Sequence, residues 1–171
     1  MEISEAQLLL PEFNIDRPEV WADLGCGSGT FTYAMAERLP KASRIWAIDR
    51  TRQKLRAVHH QVKIDFLHAD FEKEDLRISS LNGILLANAL HFVKDKPAFI
   101  RKLKGYFEQG NERWIIVEYN HSVPNLWEPY PVPFDELKSL FRQSGYSEIE
   151  KTGERKSVYG GTMYAALITK T

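Results

Sequence analysis

Residues 23–30, DLGCGSGT, carry the strongest structural signal in this sequence, because three glycines at alternate positions follow a carboxylate. The apolar run EVWAD leads into them and predicts a short buried strand. The segment TFTYAMAERL follows, and it places Phe31, Ala34 and Met35 on one face of a predicted helix. A glycine-rich turn between a first strand and a helix favours a nucleotide-like ligand, because it brings backbone amides and a helix N-terminus close to that ligand.

The same alternation of strands and helices continues along the chain. The later predicted strands are SRIWAID, KIDFLHAD, GILLANAL and RWIIVEY. The later predicted helices are the basic segment RTRQKLRAVHHQV, then KPAFIRKLKGYFEQG, which we expect to stop at Gly110, and PFDELKSLFRQSG. A short SEAQLLL helix, with Ser4 and Gln7 as a capping box, precedes the first strand. YSEIEKT and TMYAALITK lie too close together for an intervening helix, so they predict a hairpin. The sequence therefore predicts an α/β fold with a doubly wound, mostly parallel seven-stranded sheet and an antiparallel last strand.

Composition narrows the class of protein. With 171 residues, of which 43% are hydrophobic and 27% charged, we expect a single domain, in which residues 1–18 form an N-terminal helix or lid and residues 19–171 the core. A formal net charge of zero argues against nucleic acid or an anionic membrane as partner. Cys26 is the only cysteine, so a disulfide within the chain is excluded and a reducing, cytoplasmic location is expected. The first residues lack the pattern of a signal peptide or a membrane span.

Carboxylates follow three successive predicted strands. Asp23, Asp49 and Asp70 are expected at one edge of the sheet, with Asn88 and residues 119–120 at the ends of the next two strands. Asp23 would repel a pyrophosphate in the glycine turn but would attract a cationic group. Asp49 suits a ribose diol and Asp70 an exocyclic adenine amine, so the three acids together fit S-adenosylmethionine, which has no phosphate. The alternative is that Asp23 and Asp70 only cap helices.

These segments resemble the class I S-adenosylmethionine-dependent methyltransferases. VWADLGCGSGTF is similar to the first motif of that family, WAIDR to its acidic second-strand motif, HADF to its adenine-contacting motif and LLANALHF to a strand-four motif of its small-molecule members. The resemblance runs from about residue 20 to residue 169. It implies S-adenosylmethionine as cofactor, with S-adenosylhomocysteine as product. The residues that it implies for the cofactor site are Asp23, Gly25, Cys26, Gly27, Gly29, Asp49, Arg50, Asp70, Phe71, Asn88 and Ala89.

Candidates for the methyl acceptor and for proton transfer lie around the same edge. His91, His121 and Tyr119 are the candidate catalytic residues, since a base is needed when the nucleophile arrives protonated. The irregular segment EYNHSVPNLWEPYPVPF and the turn SVYGG are expected to wall the acceptor site. The candidate acceptor contacts are Asn120, Trp127, Tyr130, Arg155 and Tyr159, with Gly160 and Gly161 beside them. Local packing of His91, a plain surface loop and a plain hairpin turn are the alternatives.

The sequence leaves the whole function open between three classes. Methyl transfer to an unidentified small acceptor fits best. Members of the family that methylate amides or exocyclic nucleobase amines typically carry an Asn/Asp-Pro-Pro-aromatic motif after strand four, so the resemblance, with NALH at that place, implies that adenine-N6 and glutamine-amide acceptors are not expected. A homodimer is compatible with the short lid segments. An NAD(P)-binding oxidoreductase and a non-catalytic methyltransferase-like module that activates a partner are the alternatives. No metal site is expected, because His59 and His60 lie on the predicted basic helix without a cysteine or an acid at ligand spacing.

Overall fold

Helices and strands alternate through residues 1–157 and 160–170, the part of the chain that the computed structural model describes. The helices are α1 (Ile3–Gln7), α2 (Thr30–Arg38), α3 (Lys96–Lys104) and α4 (Phe134–Gln143). The strands are β1 (Val20–Leu24), β2 (Arg44–Asp49), β3 (Val58–His59), β4 (Val62–His68), β5 (Gly83–Ala87), β6 (Arg113–Tyr119), β7 (Glu148–Lys156) and β8 (Thr162–Thr169). A 3-10 turn at Leu90–Phe92 follows β5.

All eight strands form one sheet, in the order β3-β4-β2-β1-β5-β6-β8-β7. The strands from β4 to β6 are parallel to one another, whereas β8 runs antiparallel to both β6 and β7. The predicted mixed α/β sheet is confirmed, with β3 as a strand more than expected. Because the chain leaves β1 toward β2 and later returns to pair β5 with β1, the carboxyl ends of β1 and β5 form the switch point where such sheets bind ligands.

Hydrophobic side chains cover both faces of the sheet. Buried residues of α3 and α4 pack on one face, and those of α1 and α2 pack on the other. Gly83 in β5 permits a close approach across the sheet, because a Cβ there would lie 2.3 Å from the ring of Trp21. Among the described helices none has both the length and the apolarity needed to cross a bilayer.

The helix predicted for RTRQKLRAVHHQV is wrong. Residues 50–57 form no helix, and β3 follows and turns at His60 and Gln61 into β4. Both turn residues have a positive φ, 48° and 61°, as a two-residue hairpin turn requires. The first five residues of the segment are all polar, and its apolar residues at helical spacing are only Leu55, Val58 and Val62, too few to define a helix face. Pairing with β4 also satisfies backbone groups that an edge strand would leave exposed.

The end of α3 differs from the expectation as well. The helix stops at Lys104 with Gly105 as its C-cap, before the predicted stop at Gly110. The ring of Phe107 then packs 5.1 Å from that of Trp114, so tertiary contacts rather than helical periodicity bury this aromatic residue.

The predicted Ser4–Gln7 capping box is also corrected. The Glu2 backbone amide donates to the Glu5 carboxylate at 2.8 Å, so the cap begins two residues earlier. The Gln7 side-chain amide instead donates to the Ala34 carbonyl at 2.9 Å, which fixes α1 against α2.

Candidate active site

Three hollows lie side by side at the carboxyl edge of the sheet. The glycine-loop pocket, of about 200 Å³, lies between Asp23, residues 25–28 and Asn88. The crevice, of about 350 Å³, runs past Asp49 and residues 70–73 to Phe92. The large cavity, of about 980 Å³, is bordered by His91, Tyr119, His121 and Trp127, and Asn88 borders all three hollows. The glycine-loop pocket, the crevice and the large cavity therefore meet at Asn88.

Asp23 is a buried carboxylate with one unsatisfied oxygen. Its Oδ2 accepts a hydrogen bond from the Thr32 hydroxyl at 2.5 Å, whereas its Oδ1 has no hydrogen-bond partner among residues 1–157 and 160–170. Burial raises the pKa of Asp23 to about 7; the Thr32 hydrogen bond opposes the rise and the charge of Asp49 adds to it. The side chain accepts from a hydroxyl rather than from helix amides, so helix capping does not explain it. A cation that reached Oδ1 would stabilise this anion.

The glycine turn depends on backbone conformations that favour glycine. Gly25 and Gly27 border the glycine-loop pocket with φ of 83° and 51°. A Cβ on Gly25 would lie 3.0 Å from the Cβ of Ala89, whereas one on Gly27 would meet no atom within 4 Å. Gly29 borders none of the three hollows and is the N-cap of α2. Cys26 borders the glycine-loop pocket, and burial raises the pKa of its thiol.

Asp49 ties the glycine turn to the end of β2. The Gly27 amide donates to Oδ2 at 2.9 Å and the Thr51 amide donates to Oδ1 at 2.8 Å. Each carboxylate oxygen keeps a second lone pair, and the residue borders the crevice. Arg50 borders the crevice too, with its guanidinium carbon 5.7 Å from the ring centroid of Phe92. The acid predicted for a ribose therefore retains acceptor capacity where a sugar would lie.

Asp70 serves a turn and borders the crevice at the same time. Its Oδ1 accepts from the backbone amides of Glu72 and Lys73 at 3.1 and 3.3 Å, which closes a turn; no helix begins at residues 71–74, so Asp70 is not the helix cap of the alternative reading. Phe71 also borders the crevice, and Lys102 anchors it by donating to its carbonyl at 3.0 Å. Since a carboxylate has about four lone-pair sites, the two hydrogen bonds within the turn leave Asp70 able to accept from a ligand.

Asn88 is held in an unusual conformation where the hollows meet. Its φ of 52° lies in the left-handed region, and its backbone amide donates to the Val117 carbonyl at 2.8 Å. Its buried Oδ1 has no hydrogen-bond partner in the described part of the chain. Ala89, next along the chain, borders the crevice. Strain held at such a junction is typical of ligand-binding positions.

His91 is part of a buried histidine–carboxylate pair. It is 4% exposed, and its Nδ1 lies 2.7 Å from Oε2 of Glu118, which is 1% exposed. Oε1 of Glu118 accepts from the amides of Leu90 and His91 at 2.8 and 3.2 Å. Because an ionised carboxylate only accepts, it places the imidazole proton on Nδ1 and leaves the lone pair on Nε2. The residue borders the large cavity, so packing alone does not account for it.

A second histidine–carboxylate pair borders the same cavity. His121 Nε2 hydrogen-bonds to the Glu128 carboxylate, and both residues line the wall. The ring of Tyr119 is close to both histidines, with its centroid 6.5 Å from that of His91 and 6.4 Å from that of His121. Trp127 borders the cavity while remaining 81% exposed. Aromatic and imidazole rings therefore form much of the cavity wall.

Two of the predicted acceptor contacts have structural roles instead. Asn120 Oδ1 accepts from the Phe134 amide at 3.1 Å, at the start of α4, and the residue does not border the large cavity. Tyr130 is also absent from the wall, but its amide donates to the His91 carbonyl at 3.0 Å. These contacts hold the loop around the cavity in place.

Of the described residues of the last hairpin, two glycines border the cavity. Gly160 and Gly161 border it, as expected from the reversed direction of β8. Arg155 does not, because its guanidinium donates to the Glu5 carboxylate at 2.9 Å near the N-terminal helix. Tyr159 lies outside the described residues.

The expectation that no acid lies near His59 and His60 is wrong. Glu37 of α2 approaches both, and the ligand atoms of the three residues lie within 4.8 Å of one another. Arg56, which can only donate, lies 3.2 Å from Nδ1 of His59, so the proton is on Nε2, where Glu37 accepts it at 3.0 Å. His59 therefore has both ring nitrogens engaged in hydrogen bonds.

Sequence reasoning missed the two carboxylates behind the histidines. Glu118 carried a usable signal, because a charged residue inside the apolar strand RWIIVEY must find a partner when it is buried. Glu128 carried none, since its contact with His121 depends on the path of an irregular loop. Phe92, which borders both the crevice and the large cavity, was likewise missed.

Comparisons with known proteins bear on the family of this chain. A family model described as a methyltransferase domain matches residues 22–110. Proteins of Mycobacterium bovis and Mycobacterium tuberculosis, each described as an uncharacterised methyltransferase, are 24% identical to this chain over 106 residues. The match covers 61% of this chain and 54% of those proteins, so the chain spans about half the length of these curated relatives.

Solved structures share the fold at low identity. The 1,6-didemethyltoxoflavin N1-methyltransferase of Burkholderia thailandensis, solved with 1,6-didemethyltoxoflavin and S-adenosylhomocysteine, has a TM-score of 0.70 at 17% identity and covers 99% of this chain and 78% of its own. A SAM-dependent methyltransferase from Aquifex aeolicus has a TM-score of 0.63 at 14% identity, with 99% and 100% coverage. Because the family match spans more than half of the chain and includes the glycine turn, Asp49 and Asp70, this chain belongs to the methyltransferase-domain family, as its resemblance to class I S-adenosylmethionine-dependent methyltransferases predicted.

Proposed function

We propose that this protein transfers a methyl group from S-adenosylmethionine to a small molecule held in the large cavity. The observation that carries the proposal is the buried, unpartnered Oδ1 of Asp23 beside the glycine-loop pocket. A buried anion stabilises a cationic ligand group and repels a phosphate. The amino-acid end of S-adenosylmethionine supplies such a cation, whereas the pyrophosphate of NAD(P) would meet repulsion.

The residues along the two smaller hollows fit the rest of this cofactor. Asp49 retains lone pairs for the ribose hydroxyls, and Asp70 with Phe71 would hold the adenine in the crevice. Asn88 and Ala89 would lie beside the sulfonium, where the crevice meets the large cavity. When bound, S-adenosylmethionine supplies an electrophilic methyl group. The protein's contribution is then alignment and the exclusion of water.

His91 is the best-supported base. Glu118 holds its Nδ1–H at 2.7 Å, so Nε2 is available to accept a proton from an acceptor in the large cavity. Glu118 positions the ring and would stabilise the imidazolium that forms. Tyr119 and His121, which border the same cavity, would orient the acceptor.

The large cavity supports a small acceptor rather than a macromolecule. About 980 Å³ is within the range of pockets that enclose small ligands. The Burkholderia thailandensis relative was solved with a small acceptor bound. The single, buried Cys26 fits a reducing, cytoplasmic setting, and residues 1–18 would cover the cofactor rather than the acceptor, because Met1 borders the glycine-loop pocket.

Calorimetric titration tests the cofactor assignment directly. S-adenosylhomocysteine and S-adenosylmethionine should bind, and NAD⁺ should not. Asp49→Asn should weaken the binding of S-adenosylhomocysteine and of S-adenosylmethionine by about tenfold to hundredfold, because the ligand loses hydrogen bonds to a charged acceptor. Asp135→Asn is the matched control, because Asp135 is an exposed carboxylate at the start of α4. Unchanged affinity in Asp49→Asn, or tighter binding of NAD⁺, would contradict the proposal.

A further inference from the structure

The charges around the large cavity restrict what it can bind. Among the described residues that border it there is no lysine and no arginine, whereas Glu128 borders it and Glu118 lies behind His91. The Lys96 ammonium donates to the carbonyls of Val93 and Tyr130 instead. A carboxylate or phosphate on the acceptor would lose its hydration here and meet carboxylates, since the guanidinium of Arg50 packs against Phe92 but borders the crevice rather than this cavity.

The shape of the wall favours a flat ring. The ring centroid of Tyr119 lies 6.5 Å from that of His91 and 6.4 Å from that of His121. Phe92 and Trp127 add large apolar surfaces that are 43% and 81% exposed. Exposed rings that border one cavity stack well on a planar ligand and poorly on a branched, hydrated one.

The polar groups of the wall are arranged to accept hydrogen bonds. Glu118 and Glu128 each take the N–H of one histidine, so His91 and His121 each keep a lone pair on the other ring nitrogen. Asn88 Oδ1 is a third acceptor, buried and without a hydrogen-bond partner among the residues described. A ligand that satisfies these groups must bring N–H or O–H donors, because an unmatched acceptor carries a desolvation penalty where it is buried, as Asn88 Oδ1 is.

From these three features we infer that the acceptor is an aromatic ring system that bears no negative charge and carries at least two N–H or O–H donors, one of which is methylated. The inference rests on the proposed function, since it concerns the acceptor of the same reaction. It also assigns His121 and Trp127 to recognition: His121 accepts a second donor of the ring, and Trp127 covers its face.

Ligand-observed NMR with two ring systems, at pH 7 and in the presence of S-adenosylhomocysteine, tests the acceptor class. Lumazine and 2,3-dihydroxynaphthalene are uncharged rings with two donors each. Their dimethylated forms, 1,3-dimethyllumazine and 2,3-dimethoxynaphthalene, lack the donors, and lumazine-6-carboxylate and 6,7-dihydroxy-2-naphthoate add a negative charge. At least one parent ring should bind about tenfold to hundredfold more tightly than its blocked and its charged forms.

Variants place the binding in the cavity. Trp127→Ala should weaken the parent ring by about threefold to tenfold through lost stacking. Leu126→Ala should not, because Leu126 is 95% exposed on the same loop and does not border the cavity. Equal binding of the blocked or charged forms, equal loss in both variants, or no binding of either parent ring would overturn the inference. If S-adenosylhomocysteine itself fails to bind in the preceding titration, the proposed function fails instead.

Discussion

Replacement of Asp23 by asparagine should make the free energy of unfolding of the ligand-free protein less sensitive to rising pH. The same substitution should weaken binding of the cofactor. The wild-type carboxylate is buried, and burial raises its pKa from 3.8 to about 7. The native state therefore keeps a proton that the unfolded chain releases. Asparagine has nearly the same shape, and its carbonyl oxygen can still accept from the Thr32 hydroxyl, so the substitution removes mainly the charge.

The size of the effect follows from the two pKa values. Since the folded pKa is the higher one, the stabilisation is fully present below pH 3.8 and is lost as the pH rises through about 7. Each pH unit within that window removes about 1.4 kcal/mol from the free energy of unfolding of the wild type. Between pH 5 and pH 8 the free energy of unfolding of the wild type should fall by about 2 to 3 kcal/mol more than that of Asp23→Asn.

Urea unfolding at pH 5 and at pH 8 measures this difference, and other titrating groups cancel between the two proteins. The corresponding change in the difference between their melting temperatures is roughly 5 to 10 °C for a chain of this length. Asp16→Asn serves as a control, because Asp16 is exposed and its removal should change stability little at either pH. In a parallel titration, Asp23→Asn should raise the Kd for S-adenosylmethionine by about thirtyfold or more. A stability difference that is the same at both pH values would refute the reasoning on burial, and an unchanged Kd would refute the pairing with the ammonium.

Other predictions concern the core, the base and the thiol. Gly83→Ala should lower the free energy of unfolding by about 1 to 3 kcal/mol, because the new Cβ would lie 2.3 Å from the Trp21 ring; an unchanged urea midpoint would contradict this packing. Long-range ¹H–¹⁵N NMR spectra of the ligand-free protein should show His91 protonated at Nδ1, where Glu118 accepts, and a ring protonated only at Nε2 would exclude the assigned role of Glu118. Cys26 should react with a disulfide reagent at pH 8 far more slowly than free cysteine, because burial raises its thiol pKa, and rapid stoichiometric labelling of this single thiol would be inconsistent with its burial.

Much of the fold could be predicted because its signals are local. The apolar runs that became β1, β2, β5 and β6 are short and have polar or glycine-rich flanks, so strand length and burial agreed with the pattern. Asp23 and Asp49 could be placed at one edge since parallel strands share the direction of their carboxyl ends. The charge argument for the ligand needed only this placement. The helix prediction for residues 50–62 failed because the end of this segment, Val58–His59, pairs with β4, a contact that helical periodicity does not encode.

The acceptor side was harder because distant contacts decide where its side chains point. Arg155 pairs with Met163 near the end of the hairpin, as a contact to the acceptor would require. Its guanidinium nevertheless donates to Glu5 in the N-terminal helix. Asn120 follows β6 directly, but its side chain is occupied at the start of α4. Such choices depend on residues far away in the sequence, so no local pattern could report them.

The shared position of Asn88 implies that the two ligands should bind cooperatively. A cofactor in the smaller hollows and a ring in the large cavity would each restrict the same strained backbone and the same amide oxygen. Whichever ligand arrives first would bear the entropic cost of fixing this residue, and the second would find it already ordered. By thermodynamic reciprocity, the factor by which S-adenosylhomocysteine tightens ring binding must equal the factor by which the ring tightens S-adenosylhomocysteine.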